Sequence, residues 1–425
     1  MMSNYNLNES ILKEIPIKLK FIENIECILL VMILNMNAIR VMTKTLNSSI
    51  INYIIYALFV MCLLRNVLKY KCININIDFI TLGTLFIIFS SLISILIRNQ
   101  LDYISVWSKF IICILISIKA FTFNKYQINK VFEYVIYFNI FYSTYIIYNI
   151  QDINSLLRYN KELINYLVVT LPIGFSLTIS LIYMLTENKR IKRVISFFSS
   201  LLFILVLLNF QARSNILFPI IIVLFILFKD SIKKSSNIIK LIIFISIILI
   251  LFSLSKEQSY SQDLFTRMER LLIDIKSEPR IVLYTNYLNY ILDKFRWIFG
   301  VGFNNSEIIL ANMGMIETYP HNLIIELFGE LGVFALIICI IMSINIYIYC
   351  KKANRILCCK RNVYGLESRI YNYILCGFMF YLMTYMKSYS IYDAYHLFIL
   401  IAFIVKIYTI ILAEKSYYRI IKVKI

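Results

Sequence analysis

The chain has 425 residues, 60% of them hydrophobic and 16% charged, against about 45–50% and about 25% in soluble proteins. That is too little polar surface to clothe a water-soluble fold, which excludes a soluble multidomain enzyme. The formal charge of +19 comes from 43 basic and 24 acidic residues. It reflects scarce acids more than abundant bases, so a nucleic-acid partner is not expected, and a membrane topology accounts for it if the bases gather on one side.

Residues 1–20 are polar and no small-residue cleavage site follows the first apolar run, so the first helix is expected to insert and stay. Apolar runs near the ~20 residues that cross ~30 Å of hydrocarbon lie at 24–39, 50–64, 79–97, 103–121, 131–150 and 163–185. Asn35 and Asn37 interrupt the first. Six more follow at 194–210, 214–229, 238–255, 322–349, 370–386 and 394–413. Continuous rather than alternating runs exclude a strand barrel. They predict an all-α polytopic membrane protein of about 12 helices, one membrane domain over 1–425.

Twelve spans put both termini on one side, and 27 of the 43 basic residues fall in the tails and links of that side. The opposite short links hold seven, among them Arg213 and Lys387. Both termini are therefore expected in the cytoplasm. All nine cysteines fall in spans or cytoplasmic links, so no disulfide is expected.

Against that frame the outward features stand out. Arg213 lies in the short turn Gln211-Ala212-Arg213-Ser214, where its plain role would be a snorkelling anchor. The link 256–320 is far longer than the others and nearly neutral, with eight acids and seven bases. It is read as an extracytoplasmic loop between helices 9 and 10, carrying short amphipathic helices over 263–277 and 280–298. In the second, Ile281, Tyr284, Leu288, Ile291, Leu292 and Phe295 form one apolar stripe. Arg280 opens that helix after Pro279, against the helix dipole, which favours an anionic partner. Five of the nine glycines fall between 300 and 332. Gly300-Val301-Gly302 lacks the third glycine of a dinucleotide fingerprint and a preceding strand, leaving a tight turn whose amides could approach an oxygen.

His321, one of two histidines, follows Pro320 and is expected to open the tenth span. Asn322, Glu326 and Glu330 recur every fourth residue on one helix face. Glu330 lies about 13 Å below His321 along the axis, where an ionisable group is a functional candidate by default, though a buried ion pair or a packing hydrogen bond serves equally well. Asp393 sits in the last outward turn. With no Asp-x-Asp pair, no histidine cluster and no phosphate loop, neither a metal nor another cofactor is expected.

The combination of Phe299-Gly300-Val301-Gly302-Phe303, then His321-Asn322-Leu323 with Glu326, Glu330, Leu331 and Gly332, resembles the O-antigen ligase/polymerase superfamily. So do Ala212-Arg213-Ser214 and Arg280 with Tyr284. The resemblance covers roughly 195–350, and Ser214-Asn215 departs from the small or glycine residues commoner there. It implies metal-independent transfer of a glycan from an undecaprenyl-diphosphate-linked oligosaccharide to an acceptor hydroxyl, at the outer face of a bacterial cytoplasmic membrane. In that chemistry arginine forks suit the diphosphate, and an imidazole titrating at about 6.5 suits the acceptor hydroxyl. Arg213, Arg280, His321 and Glu326 are then the catalytic candidates. Asn322, Gly300, Gly302, Glu330, Tyr284 and Asp393 are the substrate-binding candidates. A chain-length regulator and a flippase are the protein partners such an enzyme would meet. Polymerase is the favoured reading, with ligation to lipid A-core as its alternative. A flippase or transporter is the competitor from another class, but it would put its charged groups at the bilayer midplane. A purely structural membrane protein is disfavoured by the loop motifs.

Overall fold

The computed structural model describes residues 17–43, 48–70, 79–97, 107–108, 111, 115–117, 120, 122–153, 166–210, 212–231, 279–293, 296–315, 319–359, 365–390 and 394–424. Among them the elements are helices, with no strand. They are α1 (Ile17–Leu34), α2 (Met36–Thr43), α3 (Ser48–Tyr70), α4 (Phe79–Ile97), α5 (Lys125–Tyr148), α6 (Tyr166–Thr186) and α7 (Arg190–Asn209). After these come α8 (Arg213–Ser231), α9 (Pro279–Leu292), α10 (Ser306–Asn312), α11 (Leu323–Cys359), α12 (Gly365–Tyr385) and α13 (Tyr395–Lys424). The expected span 238–255, the helix over 263–277, most of 103–121, Phe295 and Asp393 lie outside the described residues.

This is an all-α membrane protein. Among the described residues α6, α7, α11 and α13 contain segments long and apolar enough to cross a bilayer. The pair α1–α2 makes a fifth if it is one span bent by 74°. At the bend the Asn35 side-chain nitrogen donates to the Val31 carbonyl at 2.8 Å, and the side-chain oxygen accepts from the Asn139 amide at 2.6 Å.

The bundle is built around α6. Its residues Val169–Tyr183 are all buried, and 89% of its apolar window is covered, against 22% for α11. α6 packs on α7, α8, α12 and α5, while α11 runs along α4 and α13 at the periphery. Aromatic rings fill the centre: Phe132, Phe175, Tyr373 and Phe380 meet at centroid distances of 5.9–6.5 Å. Gly174 and Gly377 make this approach possible, because a Cβ on either would press within 2.8 Å of Phe380 or Phe175.

The two ends of the bundle differ in chemistry. At one end charged side chains pair across helices: Lys125 with Glu367 at 2.5 Å, Lys192 with Glu133 at 2.5 Å and Arg369 with Glu187 at 2.6 Å. Burial pushes the Glu187 carboxyl up, but the Lys189 amide, the Arg369 guanidinium and the Asn188 amide outweigh it, and the group ends below its ordinary value. At the other end lie the starts of α6, α8, α11 and α13 and the end of α12. There Asn215 bonds Thr170 at 2.9 Å, and a Cβ on Gly174 would touch both Asn215 and Phe380. The chemistry-bearing residues collect at this second end.

A small cap covers part of it. α9, the 296–303 loop and α10 form their own apolar core from Leu283, Tyr287, Ile291, Val301, Ile309 and Leu310. Each such side chain contributes about 1.5–3 kcal/mol when fully buried. The buried face of α9 is therefore Leu283, Tyr287 and Ile291, so the stripe expected from the sequence is rotated: its Ile291 is buried and its Tyr284 packs beside that core. Leu292, placed on that stripe, is 53% exposed. Tyr287 decides the rotation: its hydroxyl meets the Ser306 hydroxyl at 2.6 Å and its ring fills the space where Gly329 has no side chain.

Candidate functional site

Four side chains, one from α9 and three from the stretch 319–326, meet one turn at the second end of the bundle. The turn is 386–390, between α12 and α13. From α9, Arg280 donates from Nη1 to the Lys387 carbonyl at 3.0 Å. From the start of α11, Asn322 donates to the Met386 carbonyl at 3.2 Å. One turn further along, Ser390 donates to the Glu326 carboxylate at 2.5 Å. Ahead of α11, the Tyr319 hydroxyl accepts from the Tyr389 amide at 3.2 Å. Tyr284, one turn beyond Arg280, reaches the His321 carbonyl at 3.5 Å.

His321 does not open the helix. It sits in a left-handed corner, φ 56°, and α11 starts at Leu323 because Asn322 caps it. The Asn322 oxygen accepts the Ile324 and Ile325 amides at 3.0 and 3.2 Å. A left-handed conformation is uncommon for a residue with a side chain, and strain of this kind gathers at functional sites. Tyr389, opposite in the turn, is left-handed as well, φ 77°. The His321 ring lies on Tyr319, centroids 4.3 Å apart, and is partly exposed.

Gly300, Gly302 and Glu330 serve a different purpose. α11 breaks at Gly332, φ 78° and ψ −172°, and the Gly-x-Gly loop docks on the break by backbone bonds. Val301 donates to Gly329 at 2.7 Å, Gly302 to Glu330 at 3.0 Å and Val333 to Trp297 at 2.8 Å. The turn amides at Val301 and Gly302 are thus bonded to the chain's own carbonyls. Below the loop, the buried Glu330 carboxylate accepts the Asn304 amide at 2.8 Å, the Ser306 amide at 3.4 Å and the Ser306 hydroxyl at 2.7 Å. Ser306 spends its hydrogen there, so Tyr287 donates to Ser306. Burial and the Glu330 charge raise the Tyr287 phenol well above its ordinary value, which keeps it a donor. Glu326 and Glu330 share a helix face, yet one faces the 386–390 turn and the other seats the cap.

This is the stretch that a comparison with known families picks out. Residues 197–340 match the family model described as O-antigen ligase. Over this third of its length the chain is similar to the O-antigen ligase/polymerase superfamily. No curated protein matches it. The O-antigen ligase match runs from α7 to the middle of α11, taking in Arg213, Arg280, the Gly-x-Gly loop and His321. It stops short of the 386–390 turn that completes the site.

Of the residues that the O-antigen ligase resemblance singles out, Arg280, Tyr284, His321, Asn322 and Glu326 come together. Arg213 opens α8 at the same end of the bundle, two residues before Asn215, and its side chain lies outside the described residues. Tyr319, Lys387, Tyr389 and Ser390 belong to the site without having been singled out, although Lys387 was visible as one of the few outward bases. Among the described residues no three His, Cys, Asp or Glu side chains converge as a metal-binding group.

Proposed function

We propose that the protein is a polysaccharide polymerase, transferring an undecaprenyl-diphosphate-linked glycan onto a lipid-linked repeat unit at the outer face of the cytoplasmic membrane. In this reading the chain has twelve spans with both termini in the cytoplasm, and the capped end of the bundle faces outward. The observation that carries the reading is the convergence of a guanidinium, a carboxamide and a carboxylate on one turn, with the His321 imidazole stacked on Tyr319, which bonds the same turn, at a bundle end away from the charge-paired end.

The acceptor hydroxyl attacks the anomeric carbon. A new C–O bond forms as the bond from that carbon to the phosphate oxygen breaks. His321 takes the hydroxyl proton, and the diphosphate leaves on its lipid with the electron pair. Arg280, together with Arg213, holds the diphosphate and stabilises the charge it gains. The bond from Arg280 to Lys387 uses one of the five donors of the guanidinium and fixes its plane. Glu326 and Asn322 hold the segment carrying His321 against the turn.

Purified protein incubated with lipid-linked repeat should lengthen it, while His321→Ala, at equal protein level, should not. Wild-type-length product from that variant would remove His321 from the mechanism. The family description favours a second reading, ligation. A deletion strain separates the two, because loss of a polymerase leaves single repeats and loss of a ligase leaves long polymer on its lipid.

A further inference from the structure

The chain has two histidines, and the structure joins them. His396, in the first turn of α13, is 2% exposed. Its Nε2 lies 3.1 Å from the Leu34 carbonyl and its Nδ1 3.0 Å from the Tyr385 hydroxyl. A carbonyl only accepts, so Nε2 carries the hydrogen and Nδ1 takes the hydrogen of Tyr385. The ring is further clamped between Tyr381 and Tyr395, with centroids at 4.3 and 3.9 Å.

Both partners matter for the site. Leu34 is the last residue of α1, next to the bend at Asn35, where a carbonyl needs a donor from outside its own helix. Tyr385 is the last residue of α12, immediately before the 386–390 turn. Its ring lies 5.7 Å from that of Tyr389. The Tyr389 amide holds the Tyr319 hydroxyl, and Tyr319 carries the His321 ring. A continuous contact path thus runs from the bend in the first span through His396, Tyr385, Tyr389 and Tyr319 to His321. Its links alternate between hydrogen bonds and ring contacts, so it transmits position and does not conduct a proton.

We propose that His396 is a positioning residue for the transfer reaction. By bridging the Leu34 carbonyl and the Tyr385 hydroxyl it sets the seat of the 386–390 turn, and through that turn the orientation of His321 and Arg280. This rests on the polymerase reading for its catalytic consequence, whereas the coupling between the two histidines does not.

With only two histidines, full-length protein in detergent carrying [15N]histidine gives imidazole signals from two residues, assigned by His396→Phe. Tyr385→Phe removes a single oxygen about the length of this path from His321. It should shift the His321 signals and lower kcat for chain extension about tenfold or more, the scale on which sub-ångström misplacement acts, with the donor KM within about twofold. His396→Phe should do the same more strongly. Unchanged His321 signals in Tyr385→Phe, or a rate loss that only tracks the loss of folded protein by size exclusion, would overturn the proposal. If His396→Phe does not fold, Tyr385→Phe decides alone. Wild-type protein that extends nothing would sink the polymerase reading, while the histidine signals still test the coupling.

Discussion

Gly300 gives the sharpest test of how the site is built. A Cβ there would run into the carbonyl of Glu330 and come within 2.6 Å of the Leu331 amide. These are backbone atoms that cannot rotate away, so Gly300→Ala must lift the loop off the break in α11. The left-handed φ of 73° adds about 1 kcal/mol for a residue with a side chain. Losing the bonds from Val301 to Gly329 and from Gly302 to Glu330 adds about 1 kcal/mol each. The total is about 3 kcal/mol. Gly314 is an internal control: its φ of 71° is nearly the same, and a Cβ there meets nothing within 4 Å, so Gly314→Ala should cost only the ~1 kcal/mol conformational term. Trp297, whose carbonyl takes part in the docking, reports on it directly. Unfolding in mixed micelles can be followed by its emission in a Trp107→Phe background, which leaves it the only tryptophan. If Gly300→Ala were no more destabilising than Gly314→Ala, the loop would not be seated by backbone contact and this account of the Gly-x-Gly motif would fail.

Two further outcomes follow from the buried carboxylates. Glu330→Ala strands the Asn304 and Ser306 amides at a cost of about 3 kcal/mol. Hydrogen exchange should accelerate at 304–306 while the α5–α6–α12 centre is unchanged, and equal acceleration in both would contradict a local role. At the charge-paired end, Glu187 is held below its ordinary value. Its stabilisation is therefore full above the unfolded value and is lost as pH falls through the folded one. Thermal midpoints of the wild type should drop on acidification below about pH 5, and Glu187→Gln should flatten that limb after losing about 1–2 kcal/mol at neutral pH. An acid limb of equal depth in Glu187→Gln would assign it to other carboxylates.

Helix positions were legible in the sequence wherever apolar runs were long: 79–97 coincides with α4, and 163–185 lies within a few residues of α6. The rotation of α9 was not. Ile281, Leu288 and Leu292 compete with Leu283 and Tyr287 for the buried face, and the choice is made by Ser306 and Gly329, which sequence spacing does not bring near. Candidate side chains were legible by type at Arg280, His321 and Glu326. The turn that gathers them was not, because Met386 and Lys387 contribute carbonyls and Tyr389 an amide. Every residue but proline has both groups, so no residue type marks such a turn. The cluster of glycines at 300–332 was visible, but its use differs from an amide cradle, since the amides of Val301 and Gly302 are already bonded within the fold.

The break at Gly332 has a mechanical consequence. A helix in a bilayer tilts to match the local thickness of the hydrocarbon, and a rigid α11 would swing His321 and Glu326 with every such adjustment. Here the stretch before Gly332 is bonded to the cap, and Val333, the first residue beyond the break, is pinned to Trp297. The joint is a fixed pivot. A lean of the long apolar segment about this joint would leave the candidate side chains in registration with the 386–390 turn.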